Sequence, residues 1–267
     1  MSTMRAEDLW FADSDSHFYE TRDAFTRHVD PEYEHLAIRV TDGPNGTRSG
    51  SVTTGCTFLE PLYDHAPVPG SLREVLRNLS SGQITEDRLR GPVEPEFVDR
   101  SARIAWMDEH RVETAVVVPS LAGTVEQYMD HDPIQTGVNV HAFNRWLDED
   151  WGFARDGRLV STPMISLLDV DDAVEEIEWL RAGQRCVHLR PGPQGGRSPA
   201  DPVFDPFWNP GRRSRDRGGA PHLRVGLQRT GVGSVERGGP PVIVEHFGVP
   251  VDLHLRGPAD HGHDRRP

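Results

Sequence analysis

The chain has 267 residues, a formal net charge of −13 and 36% hydrophobic residues, the size of one larger domain with enough apolar content for a packed core. The acidic balance excludes nucleic acid and anionic membrane surfaces as expected partners. Two cysteines, Cys56 and Cys186, make neither a disulfide framework nor a zinc-ribbon spacing, and no stretch approaches the roughly 18 apolar residues of a membrane span, so a cytoplasmic protein without a secretion signal is expected.

Leu9-Trp10-Phe11-Ala12 is a short apolar run that leads into Asp13-Ser14-Asp15-Ser16-His17, which predicts a first strand with a polar C-terminal end. Residues 28–98 carry turn signals at Asp42-Gly43-Pro44-Asn45-Gly46 and Pro67-Val68-Pro69-Gly70. They read as a long excursion with one helix near 71–79. Residues 99–111 predict a helix and 114–119 a fully buried strand. A second helix is expected over 132–150, and a strand broken by Pro163 within 159–168. The clearest helix is 169–182: Asp169 can cap it, Val170, Ala173, Val174, Ile177 and Leu180 form one face, and Gly183 stops it. Cys186-Val187-His188-Leu189-Arg190 is a fourth strand. Strands that alternate with helices imply an α/β fold with a parallel sheet, whose strand ends are where ligands bind.

Asp15 and His17 are the leading site residues. Two positions apart on a strand, they share a side and could grip one divalent ion. Carboxylate oxygen with imidazole nitrogen suits zinc, manganese or iron. His188, inside an apolar strand, reads as a satisfied core histidine, and His141 as a packing or hydrogen-bonding residue. Asp148-Glu149-Asp150 reads as a solvated helix end, and Asp171-Asp172 and Glu175-Glu176 as the polar face of their helix. No Walker loop and no G-x-S-x-G elbow is present.

Several strings together resemble the amidohydrolase-related family, in the branch of the aminocarboxymuconate-semialdehyde decarboxylase-like proteins. They are Asp13-Ser14-Asp15-Ser16-His17-Phe18-Tyr19-Glu20, Ser101-Ala102-Arg103-Ile104-Ala105-Trp106-Met107-Asp108-Glu109, Val116-Val117-Val118-Pro119-Ser120, Ala142-Phe143-Asn144-Arg145-Trp146-Leu147, Val187-His188-Leu189-Arg190-Pro191 and Asp201-Pro202-Val203-Phe204-Asp205-Pro206-Phe207-Trp208. The resemblance spans residues 8–208 and implies a metal-dependent TIM (β/α)8-barrel lineage. It puts Asp15 and His17 where the family's first-strand metal ligands stand, with zinc the first choice of ion and manganese or iron the alternatives. It implies hydrolysis of a small-molecule substrate, or non-oxidative decarboxylation as the alternative, and is compatible with a homo-oligomer.

The family's further ligands come from later strands, and here the composition changes. All 29 basic residues are arginine; residues 1–209 hold 19 of them against 36 acids, and residues 210–267 hold 10 against 6. The last 58 residues carry 11 Gly and 7 Pro but one aromatic, Phe247, and their one apolar run lies at 241–244. Lysine-free chains come from GC-rich genes, in which a slipped frame stays open and spells Arg, Gly, Pro and His. Shifting the codons by one base after Asn209 permits a helix end, a buried strand and a terminal histidine. The same frame permits a second family-like string at 254–264. The expectation is therefore an N-terminal half-barrel over 1–209 followed by an out-of-frame, disordered tail over 210–267, with His222, His246, His254, His261 and His263 unplaced. With two ligands before the break, such a chain is expected to bind metal weakly and to be impaired or non-catalytic.

Overall fold

The first strand runs further than its apolar residues: β1 spans Phe11–Phe18, so Asp15 and His17 belong to the strand itself. The structure, a computed structural model, describes residues 9–42, 48–51, 57–58, 65–68, 71, 73–74, 77, 90–180, 186–208 and 242–244. The excursion after β1 holds a 3-10 helix, Pro31–Leu36. It also holds an antiparallel sheet of β2 (Arg39–Asp42), β3 (Arg48–Ser51) and β4 (Thr57–Phe58), and an antiparallel pair, β5 (His65–Pro67) with β6 (Arg90–Pro92). Of the helix expected at 71–79, Arg73, Glu74 and Arg77 are helical and most of the rest lies outside the described residues. Cys56 lies outside them as well.

Helix α1 (Arg100–Glu109) starts where the Asp99 carboxylate accepts the Ala102 N–H at 2.7 Å, an N-cap that satisfies one of the orphan donors of the first turn. Arg111, at φ 57°, turns the chain out of the helix into β7 (Val112–Pro119). After β7 come the one-turn helix α2 (Ala122–Val125), a 3-10 turn at Glu126–Tyr128 and the long helix α3 (Pro133–Asp150), capped by Asp132. Then follow β8 (Leu159–Ser161), β9 (Met164–Ile165), α4 (Val170–Leu180), β10 (Cys186–Leu189), the short α5 (Asp205–Trp208) and β11 (Val242–Val244). Asp169 accepts the N–H groups of Asp171 and Asp172 at the start of α4. No helix among the described residues is long and apolar enough to cross a membrane.

The four expected strands do not form one continuous ladder. Hydrogen bonding divides them into two parallel sheets, β1-β7-β8 and β9-β10-β11, because Pro163 has no N–H to donate and interrupts the segment between β8 and β9. The interruption is bridged on both sides. Thr162 N–H donates to the Val117 carbonyl at 3.1 Å, and His188 N–H donates to the Pro163 carbonyl at 2.7 Å. Within each parallel sheet, neighbouring strands follow chain order, β1-β7-β8 and β9-β10-β11. The last strand is the apolar run of the 210–267 segment; the remainder of that segment, with its five histidines and the disorder expected of it, lies outside the described residues.

The core sits where these strands meet α3 and α4. Phe18, at the end of β1, packs against Phe143, Trp146 and Trp151 at ring-centroid distances of 6.4, 5.9 and 5.2 Å. Ala173, Val174, Ile177 and Leu180 are buried on one face of α4, the stripe its spacing requires. One polar expectation is corrected. Glu176 is buried at 2% exposure instead of lying on a solvated face; Arg145 Nη1 donates to its two oxygens at 2.5 and 2.7 Å, and Asn144 Nδ2 donates to Oε1 at 2.8 Å. The acidic end of α3 is solvent-exposed as expected, Glu149 at 57% and Asp148 at 46%, while Arg27 pairs with Asp150 at 2.7 Å and His28 with Glu149 at 2.8 Å. Periodicity places a residue on a face, and tertiary packing decides whether that face meets water.

Candidate active site

Asp15 and His17 project from the C-terminal half of β1, and their side chains approach each other, with Asp15 Oδ1 4.0 Å from His17 Nε2. The register between β1 and β7 shifts between Asp13 and Ser16, so β1 is irregular where these residues sit, a feature over-represented beside active sites. Asp15 is largely exposed, and a third of the His17 side chain is accessible. Among the described residues, no group of three or more His, Cys, Asp or Glu side chains is arranged to hold a metal ion. Asp15 and His17 form a two-donor arrangement.

Three residues brought in by the fold frame this pair. Arg103, from α1, is 3% exposed. Its guanidinium donates to the Ser16 hydroxyl at 2.9 Å, the His17 carbonyl at 2.6 Å and the Glu96 carbonyl at 2.6 Å. It also lies over the Phe97 ring at 4.9 Å. The rigid guanidinium fork thus holds β1 at two adjacent points, the Ser16 side chain and the His17 carbonyl, and ties them to Glu96. Burial lowers the Arg103 pKa, with Glu96, Asp13 and Tyr19 opposing. Ser120, directly after β7, donates its hydroxyl proton to the Phe18 carbonyl at 2.7 Å and stands 3.3 Å from His17 Nδ1. Glu20, 3% exposed, accepts the N–H groups of Leu121 and Ala122. Its carboxyl is pushed up to about 7 by burial, against the hydrogen bonds from Ala122, Leu121, Glu20 and Ser120 backbone groups.

The segment after β7 also meets the neighbouring strands. A Cβ on Gly123 would lie 3.2 Å from His188 Nε2, a close approach that glycine permits. His188 is 1% exposed, the core residue its strand suggests. Glu126 is fully buried and accepts the Ser166 hydroxyl at 2.7 Å; burial raises its pKa, against Ser166 and Arg190. His141 stands on α3 beside Asp172 at 3.1 Å and Glu176 at 3.4 Å, remote in sequence from β1 and part of the α3–α4 contact. Ser120, Arg103 and Glu20 were not singled out as site residues by sequence. All three stand inside the strings that carry the family resemblance, and Ser120 also follows the buried strand directly.

No protein-family model matches the chain, and no curated protein matches it. Among solved structures, a crystal structure of an amidohydrolase from Mycobacterium avium subsp. paratuberculosis K-10 superposes with a TM-score of 0.66 at 34% sequence identity, covering 78% of this chain and 55% of that one. This chain is similar to an amidohydrolase. The likeness supports an amidohydrolase-type family and, with the parallel α/β sheet, a TIM-barrel lineage. The chain spans little more than half the length of that amidohydrolase.

Proposed function

We propose that residues 9–208 carry the first-strand part of a metal-dependent amidohydrolase site, in the decarboxylase-like branch of the family, with Asp15 and His17 as ligands. The observation that carries this reading is their approach to 4.0 Å on β1. Two donors on one tetrahedral zinc lie about 3.4 Å apart, so the exposed Asp15 side chain would have to move in by roughly 0.6 Å to share one ion with His17. The donor set, one carboxylate and one imidazole, suits zinc first, with manganese or iron next. A bound divalent ion would supply Lewis-acid polarisation and a water of lowered pKa for hydrolysis of a small-molecule C–N or C–O bond. This chain's residues hold the donors in place: Arg103 fixes the backbone at His17, and Ser120 contacts the ring. The accessibility of Asp15 leaves the pair open to solutes.

Residues 210–267 belong to the same proposal as an out-of-frame segment. This part of the reading rests on the change in composition after Asn209.

Zinc binding by equilibrium dialysis is the test. Asp15→Asn and His17→Gln are each expected to lower zinc affinity at least about 10-fold, since each removes one of few ligands. Equal zinc retention in wild type and both variants would overturn the assignment. A substrate panel on a frame-corrected chain separates hydrolysis from decarboxylation, the latter being marked by carbon dioxide release.

A further inference from the structure

Ser120 has one hydroxyl proton, and the structure directs it. Oγ lies 2.7 Å from the Phe18 carbonyl oxygen, a group that only accepts, so the proton points there. The same oxygen is 3.3 Å from His17 Nδ1. With its proton engaged by Phe18, Oγ meets Nδ1 as an acceptor. That geometry places the proton of a neutral imidazole on Nδ1 and the lone pair on Nε2. Nε2 is the nitrogen turned toward the Asp15 carboxylate.

We infer that Ser120 is a positioning residue that sets the Nδ1–H tautomer of His17 and so presents the Nε2 lone pair, beside the Asp15 carboxylate, to a divalent cation. The inference rests on the reading of Asp15 and His17 as metal ligands. A neutral imidazole in water favours the proton on Nε2, so the opposite tautomer needs a cause, and an acceptor on the far ring nitrogen is the usual one at metal-binding histidines. Ser120 is suited to the task because it is itself anchored. It follows β7, whose Val118 and Pro119 pair with His17 and Phe18, and its bond to Phe18 O holds Oγ at the ring. Arg103 restrains the other side through the His17 carbonyl. Ring and acceptor are thus carried by adjacent parallel strands whose register fixes their spacing.

The test is long-range 1H–15N correlation spectroscopy of the full 15N-labelled chain without metal, above the ordinary titration range of imidazole. The His17 signals are assigned by their loss in His17→Gln. Wild type is expected to carry the proton on Nδ1. Ser120→Thr, which keeps the hydroxyl, is expected to hold that tautomer, whereas Ser120→Ala moves the population toward Nε2–H and weakens zinc binding about 10-fold. A wild-type ring protonated on Nε2 overturns the inference, and so does an Nδ1–H form that persists in a folded Ser120→Ala chain. If Ser120→Ala does not fold, the wild-type and Ser120→Thr spectra decide. Because the spectra are of the metal-free chain, they judge Ser120 separately from the ligand reading, which zinc binding in wild type judges.

Discussion

Glu20 stands three residues after His17, and its carboxylate accepts Leu121 N–H at 2.9 and 3.0 Å and Ala122 N–H at 2.9 Å. It ties the end of β1 to the turn after β7. Burial raises its pKa from 4.5 to about 7 despite those bonds. A carboxyl with a raised folded-state pKa favours folding fully below its unfolded value and loses that contribution as pH rises through the folded one. Stability is therefore expected to fall between about pH 4.5 and 7, by an amount of order 3 kcal/mol for this group. Glu20→Gln mimics the protonated form: one oxygen still accepts the N–H groups of Leu121 and Ala122, and no charge is buried. Urea unfolding at pH 5 and pH 8 should show a smaller difference in Glu20→Gln than in wild type; an equal difference would remove Glu20 as its source.

Helices α3 and α4 are joined by polar contacts as well as by their apolar faces. Asn144 donates to the Met164 carbonyl at 2.8 Å and accepts the Met164 N–H at 2.8 Å, so a helix side chain serves the backbone of β9 just after the Pro163 interruption. The same Nδ2 reaches Glu176, which also holds Arg145. Arg145 lies over the Trp179 ring at 4.0 Å. Glu176 is buried but Arg145 is 30% exposed, so removing Glu176 leaves a charge that water partly screens, below the roughly 3 kcal/mol of a fully buried pair. Glu176→Ala is expected to lower the unfolding free energy by about 2 kcal/mol in urea titrations. Glu176→Leu, which leaves Arg145 equally unpaired, should not restore it. Recovery is expected only when Arg145 is made apolar in the same chain, so additive effects in the Glu176→Leu, Arg145→Met double variant would contradict the coupling.

At the scale of the molecule, the described parallel strands form two sheets, β1-β7-β8 and β9-β10-β11, and Phe18 gathers β1, α3 and Trp151 into one core beside Asp15 and His17. An open parallel sheet leaves edges that a closed barrel does not have. Phe11, at the start of the edge strand β1, is 56% exposed. The proposed frame change bears on that edge, because the codons after Asn209 would spell further strand and helix sequence in another frame. The nucleotide sequence across the Trp208–Pro210 codons, set against that of the amidohydrolase gene it resembles, is expected to show one base gained or lost. An uninterrupted alignment in the present frame would dismiss the proposal.

Much of the local structure was legible in the sequence, because its causes are local. Asp99, Asp132 and Asp169 cap the helices expected after them, the apolar runs become parallel strands, and Pro163 breaks the strand it interrupts. The two-residue strand repeat predicted Asp15 and His17 on one side of β1, and their side chains approach to 4.0 Å although the register shifts between Asp13 and Ser16. What surrounds that pair was decided by tertiary structure alone. Ser120 reaches His17 across 103 positions of chain and Arg103 reaches its carbonyl across 86, and no periodicity encodes which strand and which helix lie beside β1. The burial of Glu176 likewise depends on α3 covering the acidic side of α4. Sequence determined most of the elements, through short-range sterics and hydrogen bonding, and put forward Asp15 and His17 as the proposed ligands. Burial, partners and pKa values were decided only by packing between segments distant in the chain.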